Sequence, residues 1–163
     1  MEVRRVRTDE HQEAGRVTAD AYREHVSKEW EDHWRGYLLE IADIAGRAGI
    51  ATVLVAVEDD RVLGTATVEY DTPISKGEPP LAPHDARLRM VGVDPATRGR
   101  GVGQALLDAA IEDARDNGRT RMVLNTTNAM VAAQRLYERN GFIREEDFTF
   151  ENGFGMRTYA RDL

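Results

Sequence analysis

The sequence predicts an α/β (α+β) fold in a single domain over residues 1–163. Its centre is a mixed, mostly antiparallel sheet of about seven strands flanked by about four helices. Three observations predict it. Strand-like and helix-like segments follow one another in the order β-α-α-β-β-β-α-β-α-β-β, which describes one sheet with helices on both faces. Residues 50–57 are apolar apart from one Thr and rich in β-branched side chains, a mostly buried strand. A length of 163 residues suits one domain, at roughly 150 residues per domain.

The opening Val-Arg-Arg-Val-Arg reads as a short edge strand. From Thr8 the pattern turns helical, with Asp9 and Glu10 placed where a positive helix end favours them. A second helix is expected where Trp34, Tyr37, Leu38, Ile41, Ile44, Ala45 and Ala48 recur at spacings of three and four. Gly49 ends that stripe, and residues 50–57 and 62–70 form a hairpin about the polar turn 58–61. Residues 71–86 hold four of the five prolines and must be an irregular loop, of a length that often carries function. A strand at 88–93 stops at Asp94-Pro95. An amphipathic helix at 102–116 ends at Asn117-Gly118, consistent with Gly as a helix stop. A strand at 122–126, a helix at 129–139 and two further strands at 142–150 and 154–159 complete the chain.

Composition narrows the function. The chain has 22 Lys and Arg against 29 Asp and Glu, a net charge of −7, which argues against generic nucleic-acid binding. It also tilts a substrate preference mildly toward cations. With no cysteine, disulfides, thiolate metal sites and a covalent thiol intermediate are excluded. The four histidines show no metal-ligand spacing, so no metal is expected. Residues 1–10 lack an apolar segment after their arginines, and no run approaches the ~20 residues of a membrane span, so a cytoplasmic location is expected.

The most informative feature is Arg98-Gly99-Arg100-Gly101-Val102-Gly103, between a strand and a helix. A helix start offers N–H groups without intrahelical partners and the positive end of its dipole, and glycine lets an anion approach the backbone. Arg98 and Arg100 can fork onto phosphate oxygens. A glycine-rich turn with two solvated arginines is the other reading. A P-loop is excluded because no Gly-Lys pair exists. A dinucleotide fingerprint fails at its third glycine, which falls on Gln104, and at its later acidic residue, where the chain is basic.

With the residues that follow, this turn resembles the GNAT superfamily of acetyl-coenzyme A-dependent N-acyltransferases. The family's Arg/Gln-x-x-Gly-x-Gly/Ala is present as Arg98, Gly101 and Gly103. Residues 133–142, Ala-Gln-Arg-Leu-Tyr-Glu-Arg-Asn-Gly-Phe, are similar to its A-x-x-L-Y-E-x-x-G-F. The resemblance implies main-chain contacts from Val91 and Val93 to the pantetheine arm of acetyl-CoA, with residues 98–103 around its pyrophosphate. It implies that Tyr137 protonates the departing thiol; the pKa values of thiol and phenol, ~8.5 and ~10, allow that. The Val91 N–H is the candidate to stabilise charge on the carbonyl oxygen. Many relatives carry Asn three residues before the alanine of the second motif, where this chain has Met130. Asn128, two residues earlier, is either a cofactor contact or a helix cap.

Some relatives use a glutamate early in the strand before the turn as base, where this chain has Arg87. Glu69 is the first choice for that role, set against an exposed or ion-paired glutamate; His84 and water are the others. Trp30 and Trp34 line a substrate pocket or belong to the core. The function expected is direct acetyl transfer from acetyl-CoA to a primary amine of a small molecule or peptide. A non-catalytic acyl-CoA sensor and a nicotinamide-binding oxidoreductase are the alternatives, and a homodimer is a family-based guess.

Overall fold

The computed structural model describes residues 1–75 and 77–163. The first half of the chain forms β1 (Glu2–Arg5), α1 (His11–Arg23), α2 (Glu31–Ala42), α3 (Ile44–Ala48), β2 (Thr52–Glu58) and β3 (Arg61–Glu69). The second half forms β4 (Asp85–Val93), α4 (Val102–Asp116), β5 (Arg121–Thr126), α5 (Val131–Arg139), β6 (Ile143–Arg144), β7 (Phe148–Thr149) and β8 (Gly155–Asp162). The strands lie in the order β1-β2-β3-β4-β5-β8-β6, with β7 also on β8. Among the described residues only β4 and β5, joined through α4, run parallel. A parallel neighbour needs such a crossover, and a hairpin cannot supply one.

The burial of β2 follows from its alternation. Leu54 and Ala56 join Leu106, Leu107 and Ala110 of α4 in the larger core. Val53, Val55 and Val57 face the other way, against Ala14 and Val17 of α1 and Ile44 of α3. Both sheet faces are therefore helix-covered, as the apolar run implied. On the α1 side, a Cβ added to Gly92 would lie 3.1 Å from Ala21 Cβ and 3.2 Å from Thr18 Cα, so only glycine lets the helix come this close.

Several boundaries differ from expectation, and three of them have a reason in the contacts. The single helix expected across residues 34–48 is two, because Asp43 (φ −81°, ψ 74°) leaves the helical region and its carboxylate accepts the Gly46 N–H at 2.8 Å. Buried Arg47 donates to the Glu40 and Asp43 carbonyls at the break, satisfying the end of α2. The strand expected at 142–150 is two short strands, β6 and β7, interrupted by Glu145, Glu146 and Asp147. That raises the strand number from about seven to the eight of the sheet. Finally, β4 begins at Asp85, not Leu88, with Arg87 buried between the partners Glu69 and Glu78. Charge disguised the first part of that strand.

The start of α1 is held by a charge-assisted fork. Arg4 donates to Glu10 at 2.8 and 2.6 Å, and the Arg7 N–H adds a third bond at 2.8 Å. Arg4, seconded by that N–H, pulls the Glu10 carboxyl from 4.5 down to about 2. A depressed carboxylate stabilises the fold above its unfolded pKa and loses that contribution as pH falls toward its folded one. Glu10→Gln is expected to cost about 1–2 kcal/mol at pH 7 in urea unfolding, after allowance for solvent screening. The gap to the parent should shrink between pH 4.5 and about 2. A gap that stays constant across that window contradicts the fork.

Candidate active site

The site begins as a defect in the sheet. β4 and β5 are in register only from the pair Asp85 and Arg121 to the pair Leu88 and Leu124. Just past that point β4 bulges: Thr67 faces Arg89 and Thr65 faces Gly92, leaving Met90 and Val91 opposite Ala66 alone. Met90 takes a φ of 52°, and a bulge of this kind bends its strand and increases its twist. β4 thus swings away from β5, and the sheet opens.

One opening is a groove of about 770 Å³ between the β4–α4 turn and α5. Asp94 organises the turn, its carboxylate accepting the Ala96 N–H at 2.9 Å and its carbonyl the Thr97 N–H at 2.8 Å. Gly99 and Gly101 then sit at φ 78° and 80°, left-handed values that side-chain-bearing residues resist. The first helical bond runs from the Ala105 N–H to the Gly101 carbonyl. Among the described residues, no N–H from 98 to 104 has a protein acceptor. These donors, at the positive end of a helix, form an anion cradle.

Val91, Val93, Arg98, Gly99, Gly101, Val102 and Gly103 line this groove, so the structure brings together seven of the nine residues expected to contact a cofactor. Arg100 does not; it reaches away to Glu58 at 2.5 Å. Asn128 does not either. Its side-chain oxygen accepts from Arg157, and the N-cap of α5 is Met130 with no side-chain cap bond, so Asn128 is not a cap. Met130 lines the groove in its place. Arg98 is held at 2.6 Å by Glu24, which lowers the Glu24 carboxyl. An arriving anion must compete with that carboxylate.

Tyr137 faces the groove from α5 and is 6% exposed, packed near Phe142 and Tyr159. Burial pushes its phenol well above the ordinary 10, so the hydroxyl keeps its proton throughout the neutral range.

Glu69 lines neither opening and is 1% exposed. Its carboxylate is shared between Arg87 at 3.1 Å and Arg89 at 3.0 Å, with the Ile74 N–H at 3.2 Å. The ion-paired alternative describes its contacts, and its carboxylate meets the cavity through Arg87, Arg89 and Ile74, which line it. Glu78 of the proline-rich loop joins the same pair, 2.9 Å from Arg89 and 3.3 Å from Arg87. Burial pushes the Glu78 carboxyl up. His84 is largely exposed beside Asp85.

The second opening, a cavity of about 480 Å³, lies on the α1–α2 side. Tyr22 and Met130 border both openings, so the two meet across the splayed strands. Trp34 is at once core, at 3% exposed, and cavity wall. His33, Tyr37, Phe150 and Phe154 also line it, and sequence reasoning missed all four. They come from α2 and the β7–β8 hairpin, more than a hundred residues apart in the chain, and no local spacing signals that convergence. Trp30 instead packs edge-on against Phe154 at 5.2 Å.

A model of the acetyltransferase (GNAT) family matches residues 12–142. The chain belongs to the GNAT family. The matched GNAT span contains the cradle and Tyr137 but ends before Phe150 and Phe154. Mycothiol acetyltransferase from Kocuria rhizophila is 32% identical over 83% of this GNAT chain, which covers only 38% of that relative. The chain spans well under half the length of the curated relatives it matches. A ribosomal-protein-alanine N-acetyltransferase from Brucella melitensis superposes with a TM-score of 0.72 at 22% identity, covering 100% of both chains. PaiA N-acetyltransferase from Thermoplasma acidophilum, in complex with coenzyme A, gives 0.70 at 18% identity over 99% of this chain and 98% of its own. At these identities the structures show a shared fold. No helix among the described residues is long and apolar enough to cross a membrane.

Proposed function

We propose that this chain transfers the acetyl group of acetyl-CoA directly to a primary amine, both substrates being bound together. The observation that carries the reading is the row of unengaged N–H groups at 98–104, opening onto a groove that meets a second cavity at Tyr22 and Met130. The fit to a pyrophosphate is tested by the glycines: a Cβ at Gly99 or Gly101 meets no protein atom within 4 Å, so the space above the cradle is free for a ligand.

When bound, acetyl-CoA supplies an activated acetyl group. In this reading the cradle and Arg98 hold the diphosphate. Past Leu88, β4 has no β5 partner, which leaves main-chain groups of Val91 and Val93 for the pantetheine arm. In this reading the Val91 N–H stabilises negative charge growing on the carbonyl oxygen. As the amine nitrogen bonds to the carbonyl carbon, the C–S bond breaks and the sulfur takes the Tyr137 hydroxyl proton. The nitrogen's proton leaves to water and the phenolate regains one from solvent, so acetyl amide and free thiol are the net products. No cysteine exists to carry the acetyl group, which favours the direct route. PaiA N-acetyltransferase, of the same fold, holds coenzyme A, and the mycothiol acetyltransferase relatives are named for acetyl transfer; both support the reading.

The test is thiol release from acetyl-CoA across a panel of primary amines. Amine-dependent, saturable release is the expected result. Tight acetyl-CoA binding with no release for any amine favours a non-catalytic sensor.

A further inference from the structure

The cavity beyond Met130 has a chemistry of its own. His33 and Phe154 stack at 4.0 Å with planes 17° apart, and Phe150 lies 5.5 Å from His33. Trp34 meets Phe154 edge-on at 5.9 Å. The result is a set of flat apolar surfaces at spacings where a further ring adds edge-to-face or offset contacts.

His33 belongs to that wall as a neutral ring. The Asn152 side-chain oxygen accepts the Phe154 N–H at 3.0 Å, which fixes the amide orientation and turns its NH₂ toward His33 Nδ1 at 3.1 Å. Nδ1 is then the acceptor, and the ring proton sits on Nε2. Burial lowers the His33 pKa further. The ring therefore presents an aromatic face and adds no cation to a cavity whose lining arginines, Arg87 and Arg89, are paired with Glu69 and Glu78, and its occupied Nδ1 is no base.

Two further features bound the ligand. The far side of the cavity is latched: Ser75 of the proline-rich loop bonds Glu40 of α2 and accepts from Arg89 at 2.6 Å, while Glu78 pairs with Arg89 at 2.9 Å. These contacts tie the proline-rich loop to α2 and β4 at that end. At the near side, Thr127 Oγ1 is buried without a partner among the described residues and lines the cavity beside Met130. Turned about χ1 toward the seam with the donor groove, that closed-off, unmet hydroxyl can accept an amine N–H. A volume of about 480 Å³ matches a small molecule.

We infer that the acceptor is a small arylalkylamine, its ring held by His33, Phe150 and Phe154 and its nitrogen at Thr127. This rests on the acetyl transfer proposed above. Phe150, half-buried on the hairpin, acts as a specificity residue.

The experiment measures kcat/KM for thiol release with 2-phenylethylamine, butylamine and the dipeptide amide Phe-Ala-NH₂, alongside calorimetry of acetyl-CoA alone. The expected result is 2-phenylethylamine at least about tenfold above both other amines. Phe150→Ala should pull its ratio to butylamine to within about threefold of unity, and Phe150→Leu should recover part of it. Equal rates for 2-phenylethylamine and butylamine, a preferred dipeptide, or a ratio unmoved by Phe150→Ala overturns the substrate class while leaving acetyl transfer intact. Failure of acetyl-CoA to bind in the calorimeter, or binding with no turnover of any amine, instead removes the reading beneath it.

Discussion

The double substitution of Arg98→Ala with Gly101→Val is expected to weaken acetyl-CoA binding by about 100-fold or more. Gly101 holds φ 80° at the entry to α4, a conformation worth roughly 1–2 kcal/mol against any side chain and more against a β-branched one. The backbone must leave that conformation or carry strain, and in either case the N–H groups after it no longer converge. The valine side chain also enters the space left free for the diphosphate. Removing Arg98 deletes the one cradle cation that lines the groove, a further charge-assisted contact of about 1.5–3 kcal/mol when made to phosphate. The fold should persist, because a Cβ at residue 101 meets no protein atom within 4 Å and Arg98 is a half-exposed partner of Glu24. Calorimetric titration beside far-ultraviolet circular dichroism separates the two effects. Undiminished affinity in a folded double variant contradicts the cradle.

Tyr137→Phe is expected to lower kcat by about 10²-fold or more, the range assigned to a positioned general acid, with acetyl-CoA affinity changed only slightly. Burial, with a smaller contribution from Tyr37, raises the pKa of the Tyr137 phenol. The sign matters for the pH profile. A raised phenol retains its proton beyond the ordinary 10, so it imposes no falling limb below that pH. An amine acceptor must lose its proton to attack, and amines of this class titrate near ~10. Rate in the parent should therefore climb with pH through the range 7 to 9. Steady-state kinetics over that range checks both points; a Phe variant with parental kcat removes the proton-donor role.

Much of this was legible because it is local. The helix Val102–Asp116 was readable from about its first residue to its last, since the glycines before it and Asn117-Gly118 after it bracket an amphipathic stripe. Five cradle positions fall in the groove because turn chemistry is written in neighbouring residues, while Val91 and Val93 were pointed to by the family resemblance. What failed depends on distant partners. Arg87 reads as lying outside the strand until Glu69 and Glu78 are brought to it. The same contacts turned Glu69 from an expected proton acceptor into a buried counter-ion. Arg100 and Asn128 were claimed elsewhere, by Glu58 and by Arg157, across 42 and 29 residues of chain. The aromatic wall joins α2 to a hairpin near the C-terminus, and Asn152, whose amide sets the His33 tautomer, lies 119 residues from it.

The most direct measurement follows backbone amide resonances of the nitrogen-15-labelled protein during titration with acetyl-CoA. Large saturable shifts at residues 98–104, joined by Val91 and Val93, are predicted. Saturation with those amides unmoved, and the shifts gathered on another part of the surface, would contradict a diphosphate held by that turn.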